Sequence, residues 1–105
     1  MSDAGRRLEE ALQKVAAAFD ARLPERLRQL ESLWHAYEDG GADSAEALRR
    51  ELHRLRGTAS SYGYRALSQQ LREAEDQLRE VARPALRASM RQVFDRRWER
   101  DAPLT

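Results

Sequence analysis

The stretch SAEALRRELHRLRGTASSYGYRALSQQLREAEDQLREV, residues 44–81, decides the fold. Its apolar residues fall at Leu48, Leu52, Leu55 and Ala59, and then, after Gly63, at Leu67, Leu71, Ala74, Leu78 and Val81. Steps of three and four place each set along one face of an α-helix. Gly63 separates the two sets, and glycine readily takes the left-handed conformation that ends a helix. Asp43 or Ser44 offers an N-cap for the first of the two. The stretch therefore predicts two amphipathic helices joined by a tight turn.

Outward from this pair the pattern repeats. Upstream of the Gly40-Gly41 turn, a stripe runs through Leu8, Leu12, Val15, Phe19, Leu23, Leu27, Leu30, Trp34 and Tyr37. Pro24 interrupts it, and proline removes a helical hydrogen bond and crowds the preceding turn. The stripe nonetheless keeps phase. At about 100° per residue, Leu8 and Tyr37 differ by only about 20°. One long helix kinked near Pro24 is expected, with two nearly collinear helices as the alternative. Downstream, Pro84 suits a first helical turn, and Leu86, Met90, Val93, Phe94 and Trp98 follow. Asp101 to Thr105 read as a frayed end.

These segments predict an all-α fold: an antiparallel four-helix bundle, residues 1–105 as a single domain, with helices at about 5–38, 44–61, 64–82 and 84–99. No alternating run rich in Val, Ile and Thr suggests a strand. The first helix, roughly 45 Å long, exceeds the others at about 25 Å. Its N-terminal half must be covered by the fourth helix, bent back at Pro24, or buried in a partner.

Composition narrows the function. The chain has 105 residues, 41% hydrophobic and 35% charged, which suits one small folded domain. Its net charge of +1 gives no general attraction to nucleic acid or anionic membrane. Cysteine is absent, so disulfides and thiolate metal sites are excluded. No run approaches the roughly 20 apolar residues of a membrane span. A cytoplasmic protein without nucleic-acid or membrane partners is expected.

His53 is the residue that stands apart. It lies roughly 130° from the Leu48–Ala59 stripe, on the solvent face of its helix. Arg49, Arg56 and Ser60 fall on the same side. Two guanidinium groups beside an exposed imidazole suit the holding of a dianion. Gly57 costs helix stability, up to about 1 kcal/mol relative to alanine. A side chain there would lean toward the N-terminus, over His53. Glycine leaves the distal ring nitrogen uncovered for an approaching protein.

The run LHRLRGTASSYGYRALSQQLREAE, residues 52–75, resembles the signature of the histidine-containing phosphotransfer (HPt) domain. The family's pattern is His, any residue, Leu, Lys, Gly, Ser or Thr, then Gly ten positions after the His. His53, Leu55, Gly57, Thr58 and Gly63 match it, with Arg56 in place of the usual Lys. The segment FDARLPERLRQLESL also resembles the family's preceding helix. The resemblance implies reversible phosphorylation of His53 on its distal nitrogen. The phosphoryl group would come from a receiver-domain aspartate and pass to another. It implies receiver domains of response regulators or hybrid histidine kinases as partners. It implies no cofactor in this chain, Mg2+ being expected in the partner receiver only. Arg56, Gly57, Ser60, Arg49 and Glu75 are the expected supporting residues, Glu75 standing where the family often has a polar residue near the His. A monomeric phosphocarrier without independent catalytic activity is expected. The alternative is a helical module that binds a receiver or kinase without transfer.

Other features have plainer readings. His35 has no motif around it and reads as structural or surface. Two histidines without cysteine make no metal site. Trp34, Phe94 and Trp98 lie on helical stripes and read as core. Arg96, Arg97 and Arg100, interleaved with acids, read as a solvated helix end. The dimerisation helices of histidine kinases also expose a His, but their motif continues to a Pro, where Gly57-Thr58 stands here.

Overall fold

The computed structural model describes residues 2–41 and 43–104. It is a four-helix bundle with no strand among the described residues: α1 (Asp3–Glu38), α2 (Ser44–Ser61), α3 (Arg65–Arg79) and α4 (Arg83–Asp95). α2 packs against α1 and α3, α4 covers α3, and α4 touches α1 only lightly. The core is the set of stripes named by periodicity. Leu48, Leu52, Leu55, Ala59, Leu67, Leu71, Ala74, Leu86, Met90 and Val93 are fully enclosed. Trp34 is buried, while Phe94 and Trp98 pack partly buried against the same cluster.

α1 is one helix through Pro24, so the two-helix alternative does not hold. Its 36 residues correspond to about 54 Å at 1.5 Å per residue. That length equals the longest dimension of the molecule, 54 Å. Burial begins only at Ala16, and Ser2 to Val15 are all exposed. Leu8, Leu12 and Val15, the first third of the stripe, therefore face solvent. The fourth helix does not cover them, because it packs mainly on α3.

Three helix ends close in the same way. After α1, Gly40 (φ 82) lets Gly41 N donate to Ala36 O and Gly40 N to Tyr37 O. After α2, Gly63 (φ 81) sits between the corresponding bonds, Tyr64 N to Ala59 O and Gly63 N to Ser60 O. This is the Schellman arrangement, in which a left-handed residue satisfies the last carbonyls of a helix. After α3, the left-handed position is taken by Val81 (φ 57), with Ala82 N bonded to Gln77 O and Val81 N to Leu78 O. α3 therefore ends at Arg79, not at 82 as expected. Val81, expected on the buried stripe, is 66% exposed.

The C-terminal segment departs most from expectation. α4 stops at Asp95, not 99, because Arg96 is extended and the Trp98 indole donates to Val93 O at 2.8 Å. Residues 101–104 are not frayed. The chain folds back, Asp101 N and Ala102 N both donating to Gly63 O at 2.8 and 3.0 Å. The Asp101 carboxylate accepts from Arg65 N at 2.7 Å and Ala66 N at 3.1 Å, so it caps α3. These bonds hold its carboxyl below the usual range. Arg100 is pinned as well, donating to Tyr62 O at 2.7 Å and pairing with Asp20 on α1. Asp20 also accepts from the Tyr64 hydroxyl at 2.6 Å. Burial and this carboxylate push the Tyr64 hydroxyl up to about 12. Thr105 lies outside the described residues.

Candidate functional site

α2 turns Leu52 and Leu55 inward, and the helical repeat then sends His53 outward between them. The His53 side chain is 58% exposed. α3 buries Ala74 against the same core, which carries Glu75 to the surface edge facing α2. Across that edge, Glu75 Oε1 lies 3.0 Å from His53 Nδ1. Glu75 is only 16% exposed. No side chain among the described residues engages Nε2.

Arg56, one turn from His53, also reaches Nδ1, its Nη2 at 3.0 Å. Its Nε stands 3.1 Å from Glu75 Oε2. That contact lacks hydrogen-bond alignment, and neither atom has another partner, so the pairing is ionic. Arg56 and Glu75 thus compete for one nitrogen with opposite demands. Guanidinium only donates and needs a bare Nδ1. Carboxylate only accepts and needs Nδ1–H. The Nδ1–H form gives Glu75 Oε1 a donor in the imidazole, while Arg56 contributes charge, not an aligned hydrogen bond, beside Oε2. The other form strands Oε1 without a donor at a site largely removed from water. Nδ1–H is therefore favoured, and the lone pair then resides on exposed Nε2. The Arg56 carbonyl accepts from Ser68 Oγ at 3.0 Å, which further ties α2 to α3 here.

Gly57 opens on empty space, since a methyl built there meets nothing within 4 Å. No helix packs on it. A single methyl also stays clear of the His53 ring, so covering the ring needs a longer side chain than alanine. His53 and Gly57 share a groove of about 600 Å3 with Leu12, Val15, Tyr62 and Leu104.

Arg49 and Ser60 are not gathered at the imidazole. Arg49 is drawn back one turn to Glu46, with bonds of 2.7 and 3.0 Å, and this pairing holds the Glu46 carboxyl below its usual range. Ser60 faces a separate depression with Arg65, Ser68, Arg72 and Pro103. His35 is a surface residue, 3.6 Å from Glu38. The groove residues Leu12 and Val15 were legible only as stripe positions beyond the reach of a short bundle. Leu104 carried no signal at all. Among the described residues no cluster of three His, Cys, Asp or Glu is placed to hold a metal ion. No helix among the described residues is long and apolar enough to cross a membrane.

A family model for the Hpt domain matches residues 6–100 of the chain. No curated protein and no solved structure gives a match.

Proposed function

From the premise that the chain belongs to the Hpt domain family, a family of phosphohistidine carriers in phosphorelays, we propose that His53 accepts a phosphoryl group from a receiver-domain aspartyl phosphate and passes it to a second receiver. The observation that carries this reading is the exposed imidazole with Nδ1 held by Glu75 at 3.0 Å and Nε2 without a side-chain partner among the described residues. Nε2 attacks phosphorus, the bond from phosphorus to the aspartate oxygen breaks, and the carboxylate leaves with that electron pair. The imidazole keeps its proton on Nδ1 and gains positive charge. Glu75 lies beside that charge and favours its formation. Return of the group to another aspartate reverses each step. Glu75 and Arg56 are positioning residues, and Gly57 supports access. Arg49 and Ser60 have no contact that assigns them a part in transfer. Any divalent cation for the transfer belongs to the receiver.

The test is incubation with a panel of phosphorylated receiver domains, followed by acid-labile, base-stable labelling of the chain. His53→Gln is expected to abolish labelling with unchanged helical circular dichroism. Labelling of His53→Gln would overturn the assignment. Binding of a receiver by wild type without any labelling would favour a non-transferring binding module instead.

A further inference from the structure

We infer that the C-terminal strap, Arg96–Leu104, is a partner-selecting part of the phosphotransfer site, with Leu104 as one wall of the groove that the incoming receiver domain occupies. This rests on the reading of His53 as phosphoacceptor.

The strap is fastened to three elements of the bundle. Arg100 reaches Tyr62 O at the end of α2 and Asp20 on α1. Asp101 closes the N-terminus of α3. Its approach to Gly63 leaves no room for a side chain, since a Cβ there would lie 2.1 Å from the Ala102 carbonyl oxygen. Residues 101–104 also lie beyond the 6–100 span matched by the family model. What the strap presents at the groove is thus set by residues outside the matched span.

Leu104 lines the groove together with Leu12, Val15, His53 and Gly57. Leu12 and Val15 are about half exposed, an apolar wall immediately beside the nucleophile. A protein that delivers phosphorus to Nε2 must come within bonding distance of the ring. A protein interface covers about 800 Å2 on each side, so it extends well past one imidazole onto these walls. The charges around the groove indicate which protein. Lys14 and Arg22 line its continuation along α1, unpaired with a carboxylate among the described residues. An aspartyl phosphate in an acidic pocket complements those cations. A second copy of this chain would bring the same cations against themselves.

The experiment compares two phosphoryl donors on the full chain: phosphoramidate, which needs no docking surface, and phosphorylated receivers from the organism of origin. Leu104→Asp is expected to label with phosphoramidate at the wild-type rate and to melt at the wild-type temperature. The receiver concentration for half-maximal transfer should rise about tenfold, the loss of one central apolar contact, with the maximal rate little changed. Leu104→Met should restore the wild-type value. An unchanged receiver dependence in Leu104→Asp overturns the inference. Equal slowing with both donors also overturns it, because Leu104 would then act on His53 itself. A stable wild-type dimer in sedimentation, abolished by Leu104→Asp, assigns the groove to a second copy and overturns it as well. Wild type that neither donor labels overturns the His53 reading beneath it.

Discussion

Glu75 stands 3.0 Å from His53 Nδ1, and in the proposed transfer this carboxylate is what would select Nε2 as the reacting nitrogen. Glu75→Gln still offers a carbonyl to Nδ1–H but no charge to the developing imidazolium. Hydrogen bonds to charged groups contribute roughly 1.5–3 kcal/mol, which corresponds to about tenfold or more in rate. Glu75→Ala should slow phosphoryl acceptance by about that factor, and Glu75→Gln by less, in single-turnover transfer. Nitrogen-15 spectra of the wild type should show the proton on Nδ1, and a proton on Nε2 would contradict that tautomer. Gly57 tests access. With nothing within 4 Å of an added methyl, Gly57→Ala should raise stability by up to about 1 kcal/mol. It should change transfer little. Gly57→Gln should remain folded and lose most transfer, measured on the same preparations used for melting. A marked loss of stability in Gly57→Ala would sink the access account.

At the scale of the element, the end of α3 carries avoidable strain. A β-branched residue at positive φ crowds its own backbone, at a cost of roughly 1–2 kcal/mol. The equivalent positions after α1 and α2 are glycine, and Val81 is 66% exposed, so little burial offsets the cost. Val81→Gly should raise the denaturant midpoint, the gain being about 1 kcal/mol after the added flexibility of the unfolded chain is subtracted. α3 has a second dependence at its other end. Asp101 caps it, and its carboxyl titrates below the ordinary range. A lowered folded-state value means stability present above the unfolded value and lost as pH falls through the folded one. Melting temperature should therefore decline as the pH drops below about 4, the ordinary carboxylate value. Asp101→Asn should melt lower than wild type at pH 7 and lose less on acidification. Equal acid dependence in both proteins would remove Asp101 from the account.

Across the whole molecule, the unusual feature is a long helix that outruns its bundle. The stripes of α2, α3 and α4 close a core with α1 from Phe19 onward, and the turns of α1 before it take no part in that cluster. The protein is therefore expected to be a monomer in sedimentation, with Leu8→Asp leaving both the sedimentation coefficient and the melting temperature unchanged. A tight dimer that Leu8→Asp dissociates would contradict this. Arg100 and Asp101 join the tail to α1, α2 and α3 at once. The bundle is closed by this strap as well as by its helices.

What the sequence determined by itself was most of what depends on neighbours three and four residues apart, the exposed Val81 and the early ends of α3 and α4 apart. The four helices, their buried stripes, the stop at Gly63 and the outward aim of His53 follow from a fixed turn per residue. The excess length of α1 followed from counting residues, but the exposure of its first turns did not, since cover by α4, a bend at Pro24 or a partner was expected there. The tertiary structure alone decided which residues from different segments meet. Glu75 reaches His53 because α3 is rotated to place Ala74 inward and its neighbour against α2. The same docking draws Arg56 toward Glu75, while Arg49 stays with Glu46 and Ser60 faces another depression. Asp101 caps α3 from 36 residues away, and Arg100 meets Asp20 from 80. No periodicity records such pairings, because they arise from helix rotation and chain reversal, which the packed core fixes only when all four stripes close together.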